Sequence, residues 1–290
     1  MTTIANASLT TLSASLGMCQ TGLMNTTIIM QISLIGAIAA YFASAGQIVL
    51  HKAQSTNGRL GILLAIAAVL LHVAHISISL VERGNLNGSF VEMFSVTALI
   101  VVLVALISAR DIPSLFVPLN TIAAIALLST LLFRGQYTPI STISPALSAH
   151  IALSLVAYGV LCTAALTAII FWFADRGIRS RSDKVWLNAL PPLQRIETLM
   201  FGLISVGWIL LTIGITIGVF GIDDFFAQQL AHKAVFSIIS WLLFAALMLG
   251  RQFKGWRGSV AVRWTLVAFS LLAVAFLGSK FVLDIILNRL

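Results

Sequence analysis

Eight separate stretches of this chain, at about 27–50, 60–80, 90–109, 113–133, 146–174, 198–220, 234–250 and 259–284, are apolar over the length a helix needs to cross hydrocarbon. Lipid offers a backbone no hydrogen-bonding partners, so a spanning segment must close its own hydrogen bonds as a helix or join a sealed barrel. The runs are rich in Leu, Ile, Ala and Val and show none of the ten-residue alternation of barrel strands. The expected fold is therefore all-α: a polytopic membrane helix bundle with eight transmembrane helices. With 59% hydrophobic and only 9% charged residues, the chain has nothing left over for a soluble domain. We expect a flexible external tail at 1–26 and a single eight-helix domain at 27–290.

The charges orient the bundle. With the N-terminus outside, only Arg83, Arg134, Lys233, Lys280 and Arg289 fall on outer ends, leaving the other 12 of the 17 basic residues at inner ends. The positive-inside rule then puts both termini outside and the basic connection at 175–197, with Pro191 and Pro192, in the cytoplasm. The net charge of +8 thus reads as an orientation signal with attraction to anionic lipid, and not as a nucleic-acid footprint. The first 26 residues hold no Lys or Arg, and so lack the basic start of a cleaved signal peptide. Cys19 and Cys162 are far apart, which argues against a thiol-disulfide exchange pair.

Candidate chemistry lies with the histidines. His51 sits beside Lys52 at an inner interface. His72 and His75 fall in the outer half of the second span, where facing lipid would be costly, so at least one should face the bundle. For His72 a helix-to-helix hydrogen bond and a ligand role both stand open; for His75 the bond is favoured. On the fifth span His150, Ser154, Tyr158 and Cys162 recur every fourth residue, a polar stripe in an apolar helix. It reads as a pocket wall with His150 at its top, or as a packing face with small hydroxyls. His232 occupies the matching outer level of the seventh span, followed by Lys233, Phe236, Ser240 and Trp241. Gly214 and Gly218 form a GxxxG suited to close helix packing.

Imidazoles from separate helices on opposite sides of a flat apolar ring are what a six-coordinate heme iron requires. Bare metal binding is less attractive, because a closed zinc site recruits three or four ligands and the outer face offers no HxxxH or CxxC. No Ser-His-Asp set or paired-carboxylate motif points to hydrolysis, and we expect no catalytic activity. The expected cofactor site comprises His150 and His232 as iron ligands and His72 as a secondary candidate. Tyr158 and Trp241 would serve as aromatic walls, and Lys233 or Arg134 would meet the propionates.

The segments PALSAHIALSLVAYGVL (145–161), PPLQRIETLMFGLISVGWILLTIGITIG (191–218) and HKAVFSIISWLLFAALMLGRQFKGWRG (232–258) resemble the cytochrome c assembly protein family, the CcsA, CcmC and HemX group. LLHVAH (70–75) and GSFVEMFSVTALIVV (88–102) follow more loosely. The resemblance implies a heme-handling fold in a bacterial inner membrane, external histidines as axial ligands, a Trp-rich external loop, and partners that receive heme or assemble cytochrome c. His150 matches the first external histidine of the synthase members. The chain departs from them at QQLAHKAVF (228–236), where His232 stands in a proline position and Phe236 in a tryptophan position, and no histidine follows His232. The competing expectations are a small-solute or ion transporter, which predicts related halves and midplane charges, and a non-binding scaffold.

Overall fold

The computed structural model describes residues 26–50, 59–84, 88–133, 144–180, 190–221 and 231–278. They form α1 (Thr26–Leu50), α2 (Arg59–Arg83), α3 (Phe90–Ser108), α4 (Pro113–Leu132), α5 (Pro145–Arg179), α6 (Leu193–Gly221), α7 (Ala231–Lys254) and α8 (Ser259–Ala273). The last of these passes into a π-helical turn at Val274–Gly278. All eight helices, counting α8 with the start of its π turn, are long and apolar enough to cross a membrane. Among the described residues there is no strand. Residues 1–25 of the expected 1–26 tail and the end of the last expected span at 279–284 lie outside the described residues, while Thr26 already begins α1.

The helix ends follow local chemistry. Proline stands at the start of α4 (Pro113) and α5 (Pro145), where the missing N–H costs nothing, and the Ser144 hydroxyl accepts the Leu147 N–H to cap α5. The tight link between α7 and α8 uses Gly255 and Gly258 at φ of 65° and 58°, conformations that a Cβ would strain. With 35 residues, α5 runs about 52 Å, well beyond the roughly 30 Å of hydrocarbon. It outlasts the expected 146–174 span because Asp175 pairs with Arg179 one turn on, at 3.0 Å, and carries the helix through the interface. Likewise α6 starts at Leu193 and not 198, since its polar first turn is tied to neighbouring turns, as described below.

The outside of the bundle is as apolar as its inside. Val81, Ile107 and Phe220 are each more than 80% exposed, which only a hydrocarbon solvent accommodates. Helix association therefore gains little from the hydrophobic effect and depends on close packing and internal hydrogen bonds. Glycine supplies the closeness. A Cβ at Gly159 of α5 would lie 2.5 Å from Ile100 Cγ2 of α3, and one at Gly207 of α6 would lie 2.6 Å from Leu161 of α5. Buried Leu161, Phe116, Met200, Phe201 and Phe244 belong to one apolar core within the bundle.

At the basic, inner end of the bundle, the first turns of α6 hold two neighbouring turns. Arg195 pairs with Asp111 of the α3–α4 turn at 2.7 Å, and the guanidinium holds that carboxyl below the usual carboxylate range. Glu197, 9% exposed, accepts the Gly258 N–H at 2.7 Å and faces Arg257 at 3.6 Å. One turn further along α6, the Arg251 guanidinium lies 3.7 Å from the centre of the Phe201 ring. Behind the same link Trp256 covers Gly250 and packs on Trp264, ring centres 5.0 Å apart.

Candidate functional site

His150 sits near the outer start of α5, half-buried against α6, with its Nδ1 2.7 Å from the Gly214 carbonyl oxygen. A carbonyl only accepts, so Nδ1 carries the proton and donates it. In the neutral ring Nε2 is then the basic nitrogen, the form in which an imidazole coordinates a metal, oriented by a backbone bond at the other nitrogen. A Cβ at Gly214 would lie 3.6 Å from Ser154 Oγ and 4.0 Å from Leu153 Cβ, so α5 and α6 meet at ordinary contact distance at the expected GxxxG glycine.

The polar stripe of α5 divides between neighbours because every fourth residue advances about 40° around a helix. Its upper part, His150 and Ser154, meets α6. Tyr158 has turned toward the end of α8: its ring lies 4.8 Å from that of Phe276 in the π turn. Cys162 carries a free thiol deeper in the helix.

Trp241 of α7 is not beside His150. Its indole N–H donates to Thr212 Oγ1 at 2.8 Å, and its ring stacks on that of Trp208 with centres 5.8 Å apart. The Trp208 indole donates in turn to the Trp241 carbonyl. Thr212 and Gly214 are two residues apart on α6 and so point to nearly opposite sides of that helix. The tryptophan pair and His150 thus flank α6 from different faces. His232 and Lys233 stand in the first turn of α7, but their side chains, like Arg134 and His51, lie outside the described residues.

His72 belongs to a separate polar centre among α1, α2 and α3. It is fully buried, with Nδ1 3.2 Å from the Tyr41 hydroxyl and Nε2 2.9 Å from Ser95 Oγ. Both ring nitrogens are therefore engaged by hydroxyl groups, a helix-to-helix bonding role, and each can donate or accept as the tautomer requires. One turn outward His75 Nδ1 donates to the Met30 carbonyl at 3.3 Å, the bond expected of it. Near the outer surface Arg83 pairs with Glu92 at 3.1 Å. On the inner side Asn120 donates to Ser44, which donates to the Gly61 carbonyl at 2.6 Å.

Sequence reasoning did not find Tyr41, Ser95 and Asn120. The signal available was a polar side chain within an apolar span, which in lipid must find a partner, but which partner depends on helix rotation. Glu197 was missed as well; a lone acid at the end of a basic connection, just before an apolar run, was its only mark.

These features define a multi-pass membrane protein with a helix bundle, close glycine-mediated contacts between α5 and α6, and an imidazole oriented at one end of that seam. The family model for the cytochrome C assembly protein matches residues 59–287, and the chain belongs to that family. It is 28% identical to the inner membrane protein YpjD of Escherichia coli strain K12, over 86% of this chain and 97% of that protein. It is 25% identical to the cytochrome c biogenesis protein CcsA of Synechococcus sp. strain JA-3-3Ab, over 85% of this chain and 89% of that one. A 28.8 kDa protein of Azospirillum brasilense is 29% identical over 48% of this chain and 52% of its own.

Proposed function

We propose that this protein binds heme at the outer side of a bacterial inner membrane and takes part in cytochrome c assembly as a non-catalytic heme-handling component. The observation that carries the reading is the His150 bond to Gly214. It supports a tautomer with basic Nε2, on a helix that the neighbouring α6 backbone keeps in place. Family membership supports the cofactor class, and the inner membrane protein of Escherichia coli supports the location.

The residues fit the group in part. His150 would supply one axial nitrogen, and His232, at the start of α7, is the proposed second; a heme bound there would offer an iron whose ligands and redox state the protein sets. Tyr158 would lend an aromatic surface on the α8 side. His72 would have to release Ser95 or Tyr41 to coordinate, so in this reading it serves the inner bundle. Lys233 is the proposed partner of a propionate. Heme-receiving proteins are the proposed partners.

The test is the absorption spectrum of the detergent-purified protein before and after hemin addition, alongside His150→Ala, His232→Ala and His72→Ala. A histidine-type Soret band that weakens with either of the first two replacements, and persists with the third, supports the reading. Colourless protein after hemin addition overturns it.

A further inference from the structure

Arg263 lies on a part of α8 that faces lipid. Val260, Val267 and Val274 share its stripe, at spacings that keep them on one side of a helix, and are 40%, 55% and 52% exposed. Arg263 itself is exposed, four residues into α8, so its Cα stands about 6 Å inside the helix start. An arginine at that depth on an apolar stripe needs an anion or must snorkel to one. Among the described residues the ion pairs are Arg83–Glu92, Arg179–Asp175, Arg195–Asp111 and Arg257–Glu197. Arg263 and Lys254 belong to none of them.

The surroundings say what the anion is. Arg251, Lys254, Arg257 and Arg263 fall within the α7–α8 hairpin, and among the described residues the buried Glu197 beneath Arg257 is the one carboxylate paired with any of them. Side chains lean toward the N-terminus of their own helix. Since α7 and α8 run in opposite directions, Lys254 leans back along α7 and Arg263 leans toward the inner link, so the two converge on one level. At that level the surface is also apolar: Phe253 is 76% exposed. Cations and exposed hydrocarbon in the same hairpin complement a molecule with a negative head and an apolar tail, whereas an acidic protein segment would leave Phe253 and the valine stripe unmatched.

We propose that Arg263 and Lys254 bind the phosphate of an anionic phospholipid of the inner leaflet, whose acyl chains lie along Val260, Val267 and Phe253. Arg251 and Arg257 raise the local potential while remaining on Phe201 and Glu197. The site is independent of the heme reading, since it lies at the opposite end of the bundle from His150.

Native mass spectrometry of the full chain released from detergent, with phosphatidylglycerol or phosphatidylcholine added, tests this. Wild type is expected to retain phosphatidylglycerol preferentially. Arg263→Gln with Lys254→Gln should weaken retention by about tenfold, the single Lys254→Gln by less, and Arg59→Gln, an exposed cation elsewhere at the same end, should change nothing. Millimolar inorganic phosphate should fail to displace the lipid. Equal retention of both lipids, unchanged retention in the double variant, or displacement by free phosphate each overturns the proposal. So does an acidic peptide that binds in place of lipid. If the double variant does not fold, the exposed Lys254→Gln change decides, and unaltered retention there counts against the site.

Discussion

Removing the Glu197 carboxylate should loosen the whole inner end of the bundle, and the structure says by how much. In Glu197→Ala the Gly258 N–H loses its acceptor at 2.7 Å. A hydrogen bond to a charged group contributes about 1.5–3 kcal/mol, and leaving a half-buried donor unmet falls in the same range. The Arg257 contact is longer, at 3.6 Å, with the guanidinium 64% exposed, so it adds only about 0–1 kcal/mol. We therefore expect about 2–3 kcal/mol of destabilisation for Glu197→Ala. Glu197→Gln keeps an acceptor for the N–H and should cost about 1 kcal/mol, and Arg257→Gln no more than about 1 kcal/mol. Equilibrium unfolding in mixed micelles with increasing denaturing detergent reads this order. If Gln is as harmful as Ala, charge and not the hydrogen bond holds the link. If Arg257→Gln matches Glu197→Ala, the reasoning fails, because the exposed ion pair would then dominate.

Two further outcomes use the same measurement. Gly207→Ala should destabilise by about 1–3 kcal/mol by forcing Leu161 aside, because the new Cβ would lie 2.6 Å from Leu161; Gly202→Ala on the same helix, with nothing within 4 Å, should be neutral or slightly stabilising. Equal effects at the two sites would contradict the close α5–α6 seam. For pH, Arg195 holds Asp111 below its ordinary value, so folding gains from that pair above the unfolded carboxylate value and loses the gain as pH falls through the folded one. Both groups are about half exposed, so the gain is no more than about 1 kcal/mol. The stability difference between wild type and Asp111→Asn should accordingly be present at pH 7 and shrink as pH falls below about 4; a difference that grows on acidification would reverse the sign of the argument.

The membrane architecture was readable because hydrocarbon imposes a simple demand: an apolar run of sufficient length becomes a helix. The expected 60–80 and 90–109 spans agree with α2 and α3 to within a few residues. Ends were less readable where polar residues continue a helix through the interface. Asp175 and Arg179 extend α5, and Arg195 and Glu197 find partners that let α6 begin earlier. Gly214 of the GxxxG does face α5, but at ordinary contact distance; the glycine that closes the α5–α6 seam is Gly207, whose Cβ would lie 2.6 Å from Leu161.

The candidate site was harder, since spacing along one helix says which residues share a side but not which helix faces them. His72 met hydroxyls on α1 and α3. The stripe from His150 to Tyr158 drifted across a helix boundary, and Trp241 turned to Trp208 on the far side of α6 from His150. Each depended on the rotation of a whole helix about its axis. No local pattern encodes that angle.

The most direct test of the heme reading is the optical and paramagnetic resonance signature of hemin-loaded His150→Cys. If residue 150 touches the iron, exchanging its imidazole for a thiolate must replace the ligand field, and a thiolate-type low-spin ferric spectrum is expected in place of the histidine type. A hemin complex whose spectra are the same in His150→Cys and wild type would show that the iron is held elsewhere, and would contradict the account.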